Sequence, residues 1–246
     1  MNTIELIQNH RSVRRYQDKP ISDELKWSLI RSAQMAASSS FFQAYSMIEV
    51  QDPMKRELLY RISGNQKWVL NAPLVLLFCA DHYRSKHFMA EIDPEVLGYS
   101  EAMLVAVADA ALAAQNLTLA AESQGLGVAY VGGIRNDTDA IIEAFQLPEL
   151  VFPLFLLCLG YPDEQNDIKP RLMPEVVLHR DQYDSQKYPE QMEQYNRIMG
   201  EYYANRSPHK DYNDWSLNSG QLLRDKPRKH VGESLRKQGF LIKNDR

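Results

Sequence analysis

Cysteine is scarce. The chain of 246 residues holds only Cys79 and Cys158. Each lies in an apolar run, Leu74 to Ala80 and Leu154 to Gly160, so buried reduced thiols are expected and a disulfide framework is not. Histidine is also sparse, at six residues: 10, 82, 87, 179, 209 and 230. None pairs with a cysteine at ligand spacing. His82 and His87 share one polar stretch without a third ligand, so they read as surface side chains and no metal site is expected. No Gly-x-Ser-x-Gly elbow occurs, which leaves that hydrolase chemistry without support. Gly125 and Gly127 with Gly132-Gly133 do not spell the dinucleotide fingerprint, and they follow a helical stretch where that fingerprint needs a strand. An uninterrupted apolar span is missing too. The most apolar long window, Met103 to Ala121, contains Asp109, Gln115 and Asn116, which a bilayer would accept only at high cost. The opening Met-Asn-Thr-Ile-Glu-Leu carries no basic region followed by an apolar one, so no signal peptide is expected. A cytoplasmic protein without a membrane partner is the expectation. Net charge is −4, which argues against nucleic acid as a partner.

What is present is a chain long enough for a large core domain with an extension, and apolar residues make up 44% of it, enough to fill that core. The charge is uneven. Residues 1–204 carry 18 Lys+Arg against 27 Asp+Glu, and residues 205–246 carry 10 against 5. A basic tail on an acidic body suits an anion site or a contact between subunits, or it is a solvated end.

Thr3 to Asn9 forms a short amphipathic segment with Ile4 and Ile7 on one side. Ser22 is placed to cap a helix running to about Ala37. Three hydroxyls, Ser38-Ser39-Ser40, then interrupt helical structure. Ser46 to Gln51 alternates as a strand, and Met54 to Ile62 is helical. Leu74 to Ala80 reads as a buried strand, and Asp81 to Leu97 as an irregular polar excursion. Ser100 to Gln124 is the longest helix, rich in alanine and therefore open to close helix contacts. Gly125 and Gly127 are expected to end it with left-handed geometry. Val128 to Val131 and Leu154 to Leu159 read as strands, with a helix from Asp137 to Phe145 capped by Asn136. Residues 161–246 are polar and tyrosine-rich, with the texture of an extension that wraps a partner.

The candidate chemistry is a scattered set of anion and amide contacts. His10-Arg11-Ser12-Val13-Arg14 packs two guanidiniums, an imidazole and a hydroxyl into five residues, and arginine forks match phosphate geometry. Gln66 lies on a polar loop, and Gly132-Gly133 ends a strand where a planar ligand can approach the backbone. Lys169-Pro170-Arg171 adds two cations across a rigid residue. Such a set suits a ligand with one phosphate and one planar polar ring. Taken singly, each member reads equally well as a turn, a cap or a solvated charge.

Their order resembles the FMN-dependent nitroreductase superfamily. Within it, the likeness is to the NADPH-preferring group of oxygen-insensitive nitroreductases and flavin reductases. The likeness covers nearly the whole chain and rests on the pentapeptide, Ser38-Ser39-Ser40-Phe41, Gly64-Asn65-Gln66, Ala113-Ala114-Gln115-Asn116, Ala120-Ala121-Glu122-Ser123, Tyr130 to Asn136 and Lys169-Pro170-Arg171-Leu172. It implies an α+β fold: a mostly antiparallel central sheet surrounded by helices, with the C-terminal extension exchanged in a homodimer. Residues 1–160 would be the FMN-binding core and 161–246 the extension. By the same resemblance, His10, Arg11, Ser12, Val13 and Arg14 hold the FMN phosphate and ring edge. Ser38 and Ser39 touch the flavin at the dimer interface, and Gln66 bonds the ring or ribityl chain. Tyr130, Val131, Gly132 and Gly133 lie along the isoalloxazine, with Lys169 and Arg171 near its carbonyl side and the phosphate. Phe41 would wall the flavin face, Arg206 and Lys210 would meet the NADPH 2′-phosphate, and Arg228 would line the substrate pocket. Its neighbours Lys226-Pro227 and Lys229-His230 depart from the commoner pattern. The activity implied is ping-pong hydride transfer from NADPH to a nitroaromatic, a quinone or free flavin. The alternative is a protein that delivers reduced flavin to a partner with little turnover of its own.

Overall fold

The computed structural model describes residues 2–205 and 214–241. Its helices and strands run in the order α1 (Thr3–Gln8), α2 (Asp23–Gln34), β1 (Tyr45–Glu49), α3 (Pro53–Ile62), α4 (Trp68–Asn71), β2 (Leu74–Asp81), α5 (Tyr83–Phe88), α6 (Ser100–Ser123), β3 (Gly127–Val131), α7 (Thr138–Phe145), β4 (Val151–Gly160), α8 (Pro174–Val177), α9 (Tyr188–Asn205), α10 (Trp215–Asp225) and α11 (Val231–Lys237). The caps are local. The Ser22 hydroxyl accepts from Leu25 N at 3.2 Å to start α2, and the Asp52 carboxylate accepts from Met54 N with Pro53 in the first turn of α3. Asp137, rather than Asn136, caps α7, accepting from Ala140 N at 3.1 Å. Asn136 is occupied elsewhere, donating to Ile62 O at 2.9 Å.

The chain divides into two units, one of residues 1–166 and 228–246, the other of residues 167–227. The first holds a four-stranded sheet in the order β1-β2-β4-β3 with every pair antiparallel, so the expected α+β class is found. β2 is buried along its whole length, and its side chains alternate between two cores. Leu74, Leu76, Phe78 and Ala80 face a cluster built from α2 and α6. Val75, Leu77 and Cys79 face a second cluster with Leu59, Val69, Ile134 and Ile141. Both thiols are free and buried, and burial pushes the Cys158 thiol up to about 12. β4 starts at Val151, three residues before the expected Leu154, because Val151, Phe152 and Pro153 pair with Asp81, Ala80 and Cys79 of β2 and are buried.

α6 is long and apolar enough to cross a membrane by length and composition. Here it is a core helix, with Ala106, Ala110, Ala113, Ala114 and Ala121 fully buried against α2 and the sheet. Gly125, at φ +75°, ends it as expected. Gly127 does not: it is the first residue of β3, and its lack of a side chain serves a close approach. A Cβ there would sit 2.5 Å from the Val13 Cβ.

The stretch from Asp81 to Leu97 is more ordered than its polarity suggests, since it contains α5 and a 3-10 turn at Pro94–Gly98. His82 corrects the expectation of a surface side chain. It is only 2% exposed, with Nε2 donating to Ala102 O at 2.9 Å and Nδ1 paired with the Ser85 hydroxyl at 3.0 Å. A carbonyl only accepts, which assigns the proton to Nε2. Burial pushes the His82 pKa down, against the opposing effect of the Ala102 hydrogen bond.

The second unit is helical. Tyr195, Met199 and Tyr203 form its small core with Leu172, Met173 and Met192. Asn196 and Ser216 tie α9 to α10 through three hydrogen bonds of 2.9–3.1 Å. In the first unit, α11 packs on α7, where Thr138 donates to Ser234 at 2.8 Å. The Gln238 side chain donates to the carbonyl of Val151 at 3.0 Å, and Phe240 is fully buried.

Two outcomes follow from this packing. Gly127→Ala is expected to destabilise the protein by about 1–3 kcal/mol, the usual scale for overpacking, read from urea midpoints. A buried neutral histidine binds fewer protons in the folded chain than in the unfolded one, whose value is 6.5. Stability is therefore full above that pH and falls as pH drops through it toward the lowered folded value. His82→Gln, which can still donate to Ala102 O, is expected to flatten this acid-side decline in a pH series of unfolding curves.

Candidate functional site

The pentapeptide meets the edge strand β3 through an isolated bridge. Ser12 bridges Val128 in parallel, and Val13 N donates to Val128 O at 3.0 Å. The turn after β4 clamps the other side. Arg14 N and Arg15 N donate to the Glu164 carboxylate at 2.6 and 3.2 Å, and Asn166 donates to Ser12 O at 2.9 Å. Tyr16 locks the end of the segment, its hydroxyl donating toward Val13 O at 2.7 Å and Cys158 O at 3.0 Å. Burial raises the pKa of that phenol strongly, so it remains a donor. His10 Nδ1 lies 2.6 Å from Glu122 Oε1. Arg11 donates to Asn9 O and Asn166 O, both at 3.1 Å. Val13 is buried, so it contributes backbone. The exposed Arg14 guanidinium lies over the Trp68 ring, 5.3 Å from its centroid, a cation–π arrangement. A cavity of about 280 Å³ borders Arg11, Val13, Glu122 and Glu164.

A second group assembles where β3 ends. Gly133 lets the Ser63–Gln66 loop come close: a Cβ there would lie 2.7 Å from Ser63 O and 2.8 Å from Gln66 Nε2. Gln66 itself donates to Ser63 O at 2.7 Å. Trp68 follows Gln66 by two residues, so Arg14 and this loop are neighbours. Val131 is buried, while Tyr130 keeps 39% of its surface exposed with its hydroxyl 2.9 Å from Thr118 Oγ1. The Gly132 Cα faces the Arg135 guanidinium, which would stand 3.0 Å from a Cβ. Arg135 bonds Leu154 O. Arg228 Nε donates to Asn136 Oδ1 at 3.0 Å. Arg135 has its pKa lowered, first by burial and then by the charge of Arg228.

Ser38 and Ser39 are held elsewhere, on the middle of α6. The Ser38 hydroxyl donates to Asp109 Oδ2 at 2.7 Å and Ser39 N donates to Oδ1 at 3.0 Å. Phe41 follows with φ +60° and is 79% exposed. Lys169 and Arg171 belong to the second unit. Lys169 Nζ lies over the Tyr203 ring at 5.2 Å, and Arg171 donates to Lys169 O at 2.7 Å. Arg206 and Lys210 lie outside the described residues. Among the described residues, no group of three or more His, Cys, Asp or Glu side chains could hold a metal ion.

The pattern is shared with known proteins. Residues 7–161 match the model of the nitroreductase family, and residues 169–243 match that family's C-terminal domain. The chain belongs to the nitroreductase family. Among its relatives in that family is an FMN reductase (NADPH) of Bacillus subtilis, 39% identical across 97% of this chain and 98% of the relative. An oxygen-insensitive NADPH nitroreductase of Salmonella typhimurium is 40% identical across 97% and 98%. Among solved structures, the NADPH:FMN oxidoreductase of Vibrio harveyi complexed with NAD+ superposes with a TM-score of 0.89. It is 35% identical and covers 99% of this chain and all of its own.

Several residues of this nitroreductase-family chain that shape the candidate site carry no motif signal. Glu164 and Asn166 clamp the pentapeptide from 150 residues away, and Trp68 meets Arg14 only through the fold. Asp109 did leave a trace, as a carboxylate breaking an alanine-rich apolar window. A charge at such a position needs partners in the folded chain, and that requirement could have flagged it.

Proposed function

We propose that this chain is an NADPH-dependent FMN oxidoreductase that reduces nitroaromatics, quinones or free flavin. The observation that carries the reading is that Arg14 lies over Trp68, two residues along the chain from Gln66, which itself packs against Gly133 just past the end of β3. This is the place where the sequence pattern puts a phosphate and a planar ring. The relatives named FMN reductase (NADPH) and oxygen-insensitive NADPH nitroreductase support it.

The residues fit FMN. Among the described residues the Arg14 guanidinium is in no ion pair and rests on an aromatic face, so its charge is available to a phosphate. The Trp68 indole N–H beside it is buried without a partner. Gly133 approaches the Ser63–Gln66 loop too closely for a side chain. FMN, when bound, supplies the two-electron hydride chemistry. The chain supplies placement and electrostatics. Arg11, Ser12 and Arg14 hold the phosphate end, with His10 and Val13 framing them, and Gln66 directs its amide to the ring or ribityl chain. Tyr130 and Val131 lead into the Gly132-Gly133 edge. Lys169 and Arg171 add positive charge, and Arg228 shapes the acceptor pocket. Arg206 and Lys210 select the 2′-phosphate of NADPH. Donor and acceptor take turns at one place, and this explains why no nucleophile or general acid is called for.

The functional form in this reading is a cytoplasmic homodimer. Ser38 and Ser39 are tied to Asp109 of α6, and Phe41 follows them on the same loop, apart from Gln66 and Gly133 in sequence and in their contacts, and they serve the flavin of the other copy. Of the extension expected over residues 161–246, residues 167–227 act as the exchanged part, since residues 228–246 belong to the same compact unit as residues 1–166.

The test is rapid mixing of FMN-loaded protein with NADPH, followed by a nitroaromatic, a quinone or free FMN. Bleaching of the flavin absorbance by NADPH and its return with an acceptor are expected. No bleaching sinks the enzyme reading, and return only with a protein partner supports flavin delivery instead. Arg14→Ala is expected to weaken FMN retention by roughly tenfold or more, the scale of one charge-assisted contact. Equilibrium dialysis checks it, and an unchanged affinity returns Arg14 to the surface.

A further inference from the structure

Asp109 is a carboxylate in the wrong company. It lies in the middle of α6, 1% exposed, with the fully buried Ala106, Ala110 and Ala113 on the same face. A buried charge is retained only where donors surround it. Its three hydrogen bonds all come from one seven-residue loop. The Ser38 hydroxyl donates to Oδ2 at 2.7 Å, Ser39 N to Oδ1 at 3.0 Å and Ala44 N to Oδ2 at 3.0 Å. The Ser38 oxygen also accepts from Gln43 N at 2.6 Å, so both ends of the loop are cinched at one point. Arg84 closes the far side by donating to Gln43 O at 2.9 Å and to Tyr45 O at 2.6 Å.

The loop between these anchors is strained. Ser40, Phe41 and Gln43 have φ of +44°, +60° and +52°, a region that side-chain-bearing residues rarely occupy. Such a backbone persists only when its surroundings over-determine it. The consequence is that Phe41 is thrust outward with most of its ring exposed, rather than collapsing onto the apolar cluster beneath.

We propose that Asp109 is a positioning residue that acts through the Ser38–Ala44 loop to preset Ser39 and Phe41 before flavin and acceptor arrive. This rests on the oxidoreductase reading above for its effect on turnover. It does not rest on that reading for the loop itself. Preorganisation of this kind lowers the ordering cost that binding would otherwise carry. At 1% exposed, the carboxylate is bonded to the loop and is shielded from any ligand. Its charge is what lets two oxygens accept three donors at once, which an amide does less well because one of its two heads donates.

The test is Asp109→Asn in the full chain, with two readouts. Hydrogen exchange of the Ser39 and Ala44 amides in FMN-free protein is expected to quicken roughly tenfold against the wild type. In FMN-saturated enzyme, the acceptor KM is expected to rise several-fold while the NADPH KM moves less, since both meet Phe41 over the flavin in the reading above but NADPH is also held by its 2′-phosphate. FMN affinity is expected to fall by about tenfold. A purely structural carboxylate would lower the unfolding temperature and leave exchange at the two amides, FMN affinity and the KM ratio unchanged, and that result overturns the proposal. If Asp109→Asn does not fold, Ser38→Ala is read by exchange at Ala44, a residue it does not alter. Faster exchange supports the cinch and unchanged exchange overturns it. If the wild type binds no FMN, the functional reading fails, and the amide exchange decides the loop claim by itself.

Discussion

Close approaches at two glycines, where no Cβ stands in the way, hold this molecule's working edge together. At Gly127 the first strand residue of β3 touches Val13, and at Gly133 the end of the same strand touches the Ser63–Gln66 loop. These contacts bring three remote stretches of chain to one strand. The pentapeptide then meets the edge of β3, where Val13 N finds Val128 O. Glu164 and Asn166 complete the arrangement by accepting and donating where the short segment has no further strand to pair with. Arg14 is exposed because its backbone is so well anchored: every restraint falls on the main chain, and the guanidinium is left to lie over Trp68.

The other half of the arrangement depends on α6. Its alanines let α2 and the sheet approach, and its single buried carboxylate faces the one loop that needs holding. Helix packing and loop shape are thus set by residues on the same helix. A carboxylate there is costly unless fully bonded, and the Ser38–Ala44 loop meets that cost with three donors. The two candidate groups, one at β3 and one on α6, are each rigid within themselves.

Much of the fold was legible. The strands at Leu74 and Leu154 and the long helix from Ser100 follow from periodicity and composition, because burial on both sheet faces demands continuous apolar runs. The misread positions share a cause. Asn136 and Asp137 are both good caps, and Asn136 went instead to Ile62 and Arg228. Gly127 looked like a helix stop because strand glycines and cap glycines differ only in what lies opposite. His82 looked exposed because a polar neighbourhood in sequence need not be one in space: Ala102 and Ser85 supply its partners inside the core.

The sequence by itself determined the family and the chemical inventory: arginines and hydroxyls in one pentapeptide, a loop amide, two glycines after a strand, and a basic tail. Those belong to residue identity and order, which the chain carries unfolded. Tertiary structure alone decided which of them meet. Val13 against Gly127, Arg14 over Trp68, Gln66 against Gly133 and Asp109 beneath Ser38 are contacts across tens to more than a hundred residues. Each depends on close packing between elements whose mutual placement no local pattern encodes.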